Sequence, residues 1–321
     1  MFGEMPYEEW LKNDKNKILK TIEVSDQTLP QPKWKMTNVS HTNGNDVITF
    51  SMEYDFGIES NKDDDFGFFL VLPKSKNLQG IVVAIHGHEE PYRGKLPVNM
   101  LKKEHWAMQF PTADYATLIP SHLFYESAKK LYEIKAFHYI WARYIRDTLK
   151  IAQSRLPRST PVFAAGVSSG CTTAMLITVL DEDIRSFSGG ACTSPLSYLR
   201  EFYRIIDHPN QWDFPEFEDE LPLLALGASK NFQFQIGTKD VLYPNGTKWV
   251  TDSKQIITQR DILVSELAGL VLGAKKIFAK SNLGGSIDLA AHNLGHTLSP
   301  EISLEFFKNQ KNSAAPLNNE R

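Results

Sequence analysis

Gly166-Val167-Ser168-Ser169-Gly170 places a serine between two glycines, directly after the apolar run "PVFAA" and directly before a helix-favouring stretch. A serine held on a sharp turn between a buried strand and a helix can serve as a nucleophile. The flanking glycines fit that role, because a larger side chain at Gly166 or Gly170 would crowd the turn. The plainer reading is that small residues fill a tight turn. A serine hydroxyl is a weak nucleophile on its own and needs a base, itself oriented by an acid. Downstream, "FQIGTKDVLYP" sets Asp240 just after an apolar run, and "NLGHTLSPEISLEFF" sets His296 just before a closing helix. Ser168, Asp240 and His296 thus follow the chain order nucleophile, acid, base. His292, four residues before His296, is the rival base.

These residues need a scaffold, and the hydrophobic pattern supplies one. "GIVVAIHG", "YATLIP", "TPVFAAG", "IRSFSGGACT" and "NFQFQIGTKD" are short apolar runs bounded by small or polar residues, as for strands covered on both faces. Between them lie helical stretches at about 126–154, 170–180, 254–272 and 299–310. A further helix is expected at 5–22, and "AKKIFAKS" reads as a possible strand. Strands alternating with helices give an α/β fold: a mostly parallel central sheet with helices on both faces. "DVITFSMEYDFGI" and "FGFFLVLP" follow one another without a helix, which adds an antiparallel N-terminal edge. One domain over 1–311 is expected, with a loop-rich insertion at 195–230 and a disordered tail at 312–321.

Composition excludes several classes. The 321 residues carry a formal net charge of -3 and are 42% hydrophobic, with the basic residues dispersed. That leaves no electrostatic footprint for nucleic acid. No apolar run reaches the roughly 18 residues that a membrane helix requires. "MFGEMPYEEWLKND" has early acids and no apolar h-region, so a signal peptide is not expected. Cys171 and Cys192 do not make a disulfide framework, and Cys171 reads as a small buried filler. Cytoplasm is the default location, a previously removed signal peptide being the alternative. Sequons at Asn38 and Asn245 have meaning only in a secreted eukaryotic chain.

The sequence resembles the α/β-hydrolase superfamily, and within it the dienelactone-hydrolase-like and acetyl-xylan-esterase-like serine hydrolases. The matching pieces are "VVAIHGH" at 82–88, "GVSSG" at 166–170, "GTKDVLYP" at 237–244 and "GHTLSPEISLEFF" at 295–307. The resemblance implies Ser168 as nucleophile, Asp240 as acid and His296 as base. It also implies an oxyanion hole from the backbone N–H groups of Ser169 and His88, no cofactor and no metal. The implied reaction is hydrolysis of a small-molecule ester with a short, acetyl-like acyl group. A thioesterase, a lactonase, a C–C bond hydrolase or a non-catalytic binding protein are the alternatives. Three departures stand out. "EEPYRGK" follows "HGH" where such families often have glycines, which either makes Glu89, Glu90 and Arg93 candidate substrate contacts or sends the loop along another path. Cys171 follows the elbow glycine. The 56 residues from Asp240 to His296 imply an insertion.

Other residues have bland readings. His86 reads as a loop support rather than a metal ligand. Asp181 and Asp183 read as a solvated turn. Trp212, with Tyr198, Tyr203, Phe214 and Phe217, either lines a substrate pocket or packs the insertion onto the core.

Overall fold

The computed structural model describes residues 7, 9, 11, 32–53, 67–75, 77–87, 96–121, 137–192, 221–240 and 253–313. Among them run β1 (Lys33–Thr42), β2 (Asn45–Glu53), β3 (Gly67–Leu72), β4 (Gly80–Ile85), β5 (Tyr115–Pro120), α1 (Phe137–Gln153) and β6 (Val162–Val167). Then come α2 (Ser169–Leu180), β7 (Ile184–Gly190), α3 (Leu221–Leu226), β8 (Asn231–Gly237), α4 (Ser253–Ser281), β9 (Ser286–His292) and α5 (Pro300–Ser313). The nine strands form one sheet in the order β1-β2-β3-β5-β4-β6-β7-β8-β9. β1 to β3 pair antiparallel, β3 pairs antiparallel with β5, and the rest are parallel.

The parallel strands are buried because their two sets of alternate side chains enter different cores. From β4, Ile81, Val83 and Ile85 join Trp141, Tyr144 and Ile145 of α1 and Met175 and Ile177 of α2. Val82 of β4 and Phe163 and Ala165 of β6 join Phe306 and Phe307 of α5 instead. Phe163 and Phe307 stack with ring centroids 4.8 Å apart.

Three expectations need correction. β1 has no counterpart in the sequence reading; its residues are mostly exposed, so no hydrophobic face marked it. Its turn to β2 is made by Asn43 and Gly44, at φ 51° and 81°. "AKKIFAKS" is the end of α4, not a strand: Ala274, Ile277, Phe278 and Ser281 are buried at helical spacing. The strand at that edge is "SIDLAAH", Ser286–His292. Tyr7, Glu9 and Leu11 are helical. The remainder of the 5–22 helix, residues 122–136, most of the 195–230 insertion and residues 314–321 lie outside the described residues.

Candidate functional site

Ser168 stands at the junction of β6 and α2 with φ 56° and ψ -128°, a conformation that non-glycine residues rarely adopt. Such a residue costs about 1–3 kcal/mol and persists only where its surroundings enforce it. The enforcement is visible. A Cβ on Gly166 would lie 2.3 Å from the Gly170 carbonyl oxygen, and one on Gly170 would lie 2.3 Å from that of His86. The Ser168 N–H donates to the Gly190 carbonyl at 3.1 Å, and the Ser168 carbonyl accepts from the Cys171 N–H at 2.9 Å. Serine at a helix N-cap ordinarily spends its hydroxyl on the first turn. Ser168 makes no such bond, so its Oγ is left for other chemistry. Ser169 opens α2 with a buried side chain, and its Oγ has no partner among the described residues.

β8 and β9 deliver the other two residues. Past the end of β8 the turn is laced to the end of β9: the Thr238 N–H donates to the His292 carbonyl at 2.7 Å and the Lys239 N–H to that of Leu294 at 3.1 Å. Asp240 is thereby held with its side chain 7% exposed, and its Oδ1 lies 3.0 Å from His296 Nδ1. A carboxylate can only accept, so Nδ1 is the donor and Nε2 carries the ring's lone pair. The His296 side chain is 31% exposed. Its loop is seated on two strand-end glycines. A Cβ on Gly190 of β7 would lie 2.5 Å from the Thr297 carbonyl oxygen, and one on Gly237 of β8 would lie 2.4 Å from that of Gly295. Sequence reasoning missed both glycines as site residues; their signal was a position at the carboxyl end of an apolar run.

His292 is built differently. It is 8% exposed, and its Nδ1 accepts from the Leu294 N–H at 3.3 Å. Burial lowers its pKa, with the nearby Asp240 charge opposing that shift. The lone pair of His292 is therefore engaged within its own loop, while Asp240 is paired with His296.

His296, Thr297, Val167, His86 and Gly87 line a cleft of about 320 Å³. A Cβ on Gly87 would come within 2.9 Å of Ser168 Cβ, so the cleft adjoins the serine. Among the described residues Ser168 Oγ and His296 share no hydrogen bond, a contact often loose before substrate binds. His86 is 2% exposed, and its Nδ1 is 2.8 Å from the Gly87 carbonyl oxygen, which stiffens the loop beside Ser168.

Residues 98–108, unremarked in the sequence, also line the cleft, with Asn99, Lys102, Glu104, His105 and Trp106. Their signal was "KEHWAM", a histidine–tryptophan pair in the segment that follows β4. His105 Nδ1 caps a short helical turn by accepting from the Ala107 N–H at 3.2 Å. Burial lowers its pKa to about 4 against the opposing charge of Glu104. His88, Glu89, Arg93 and Trp212 lie outside the described residues. Among the described residues no group of three or more His, Cys, Asp and Glu side chains converges as metal ligands would.

Two further expectations are corrected. Cys171, read as a small buried filler, is buried and forms a disulfide with Cys192. The bridge ties the first turn of α2 to the residue two beyond the end of β7. Asp181 is not solvated. It is 7% exposed, its Oδ2 accepts from Arg146 Nε at 3.1 Å, and its carbonyl accepts from Lys230 Nζ. Asp183 is exposed, as expected.

No protein-family model matches the sequence, and no curated protein matches it. Solved structures do. A Bacteroides fragilis protein assigned as an acetyl xylan esterase superposes with TM-score 0.62 at 11% identity, over 95% of this chain and 89% of that one. A glucuronoyl esterase from Teredinibacter turnerae T7901 gives TM-score 0.58 at 15% identity, over 96% and 85%. A glucuronoyl esterase from Solibacter usitatus gives 0.59 at 10% identity, over 95% and 94%. The strand order, the elbow after β6 and these superpositions together make the chain an α/β-hydrolase in fold.

Proposed function

We propose that this protein is a serine hydrolase that cleaves a small carboxylic ester through an acyl-serine intermediate. The observation that carries the reading is the Asp240–His296 pair at the carboxyl end of the sheet. It accompanies a strained Ser168 whose hydroxyl is not spent on capping. His296 Nε2 takes the Ser168 proton as Oγ attacks the ester carbonyl. Asp240 stabilises the imidazolium, which then protonates the departing alcohol. Water attacks the acyl-serine with His296 again as base, and the acid is released.

The tetrahedral oxyanion needs preformed donors, each worth about 3–4 kcal/mol. The Ser169 N–H, at the positive end of α2, is one; an N–H from the segment after Gly87, assigned to His88, is the other. The small cleft with a largely polar wall supports a short acyl group and a polar alcohol. The structural neighbours named as acetyl xylan and glucuronoyl esterases make a carbohydrate ester the first natural substrate to assay. The disulfide favours an oxidising compartment over the cytoplasm.

Labelling with a fluorophosphonate tests the nucleophile. Wild type is expected to be modified on Ser168, and Ser168→Ala to lose both labelling and about 10³-fold or more in kcat. Retained labelling in that variant would move the role to another residue. The kcat/KM for acetyl, butyryl and octanoyl esters of one alcohol tests the acyl group. A steady rise toward octanoyl, at up to about 0.8 kcal/mol per methylene, would contradict a short-acyl site.

A further inference from the structure

Most of α5 is held to the sheet by apolar contact: Phe306 and Phe307, with Leu298 just ahead of the helix, pack on Phe163 and Val167. Such contacts are strong but non-directional. At the end of α5 nearest His296 the packing changes character. Ser188 of β7, Gln233 and Gln235 of β8, and Ser299 and Ser303 form a continuous buried polar cluster, none more than 9% exposed. Burying so many polar groups is costly unless each is bonded, and a fully bonded cluster is directional.

Gln235 is the centre of that cluster. It is 1% exposed. Its Oε1 accepts from the Ser299 N–H at 2.9 Å, while its Nε2 faces the Ser299 carbonyl at 3.3 Å. The carboxamide oxygen therefore holds the backbone N–H of the residue that caps α5, and the two Nε2 hydrogens go to serine hydroxyls, of which Ser303 Oγ in turn donates to the Ser299 carbonyl at 3.1 Å. The same Nε2 lies 2.9 Å from Ser188 Oγ and 2.9 Å from Ser303 Oγ. Ser188 Oγ in turn donates to Gln233 Oε1 at 2.9 Å. Ser299 uses its own Oγ toward the Ile302 N–H and Glu301, so the cap is fixed from both sides.

The placement gives the grip a consequence. Gln235 lies five residues before Asp240 on the same strand and turn, and Ser299 lies three residues after His296. Proton transfer through His296 needs its ring positioned to within about 0.5 Å. We propose that Gln235 is a positioning residue for the acid–base pair: it locks the start of α5, and through it the His296 loop, in register with the strand that delivers Asp240. The proposal rests on the reading of Asp240 and His296 as the catalytic pair.

The experiment compares wild type, Gln235→Met, Gln235→Asn and a stability control, Phe278→Leu, with kcat counted per folded molecule, the folded fraction being read from circular dichroism and thermal unfolding. Phe278 is a core residue of α4. Gln235→Met keeps the volume and loses every hydrogen bond. Its kcat is expected to fall about 10- to 100-fold with KM unchanged. The far-downfield proton signal of the His296–Asp240 hydrogen bond is expected to shift or vanish. Phe278→Leu is expected to lower Tm and leave both readouts as in wild type. If Gln235→Met does not fold, Gln235→Asn decides: one methylene shorter, it cannot span to Ser299, and the same loss is expected. Wild-type kcat and an unmoved proton signal in the folded glutamine variant would overturn the positioning role. A wild type that is not labelled, or an Asp240→Asn variant with full activity, would instead overturn the underlying reading and the proposal with it.

Discussion

Gly190→Ala is a single-methyl test of how the histidine loop is seated. Gly190 ends β7, its carbonyl accepts the Ser168 N–H, and its open α-carbon faces the backbone of Thr297 and Leu298. An added Cβ would sit 2.5 Å from the Thr297 carbonyl oxygen and 2.7 Å from Leu298 Cα. Ordinary contact begins near 3.4 Å, so the loop must retreat by about 0.9 Å. The obstruction is backbone on both sides, so no rotamer change relieves it. Overpacking of this kind costs about 1–3 kcal/mol of stability. A retreat of about 1 Å next to His296 costs up to about 100-fold in rate. The expected result is a kcat 10- to 100-fold lower, a KM close to wild type and a Tm lower by a few degrees. The assay is hydrolysis of a short-chain p-nitrophenyl ester beside thermal unfolding. Gly269→Ala is the matched control: nothing lies within 4 Å of its added methyl, in mid-helix. It should leave kcat unchanged and stabilise the fold by up to about 1 kcal/mol. Wild-type kcat in Gly190→Ala would refute the argument that this contact positions the base.

His292→Gln should retain activity within a few-fold, whereas His296→Gln should lose about 10³-fold or more, since only His296 is paired with Asp240; steady-state kinetics on the two variants decide. Replacing both cysteines by alanine removes a cross-link spanning 21 residues and should cost about 3 kcal/mol, read from urea midpoints. An equal midpoint in wild type with and without reductant would mean that the bridge contributes nothing. His105 gives a pH test of stability. Its folded pKa is lowered to about 4 from 6.5, so between those values the unfolded chain binds more protons and stability falls as pH falls. The loss is on the order of 3 kcal/mol at most, reduced by the partial exposure of the ring. His105→Gln should flatten the urea-midpoint profile across pH 4–6.5, and an unchanged slope would contradict it.

The sequence alone determined the local features: the buried parallel strands, whose apolar runs are long enough to show themselves, and the turn at Ser168, where two glycines flank a serine between strand and helix. It also holds the hairpin signal Asn43-Gly44, although the exposed β1 beside it shows no buried face to mark a strand. The fold decided what depends on distance through space. In sequence His296 is favoured over His292 only by its place in the short loop before the closing helix. The hydrogen bonds at the end of β9 turn His292 inward and leave His296 against Asp240, across a separation of 56 residues. Cys171 and Cys192 could not be paired from spacing; they meet because α2 begins where β7 ends. The glycines at 190 and 237 are ordinary until a loop from the far end of the chain presses on them. Gln235 reads as one more strand residue until Ser299 arrives at its amide. Sequence patterns report local periodicity and turn chemistry, whereas a catalytic pair and its supports are contacts between segments that only folding brings together.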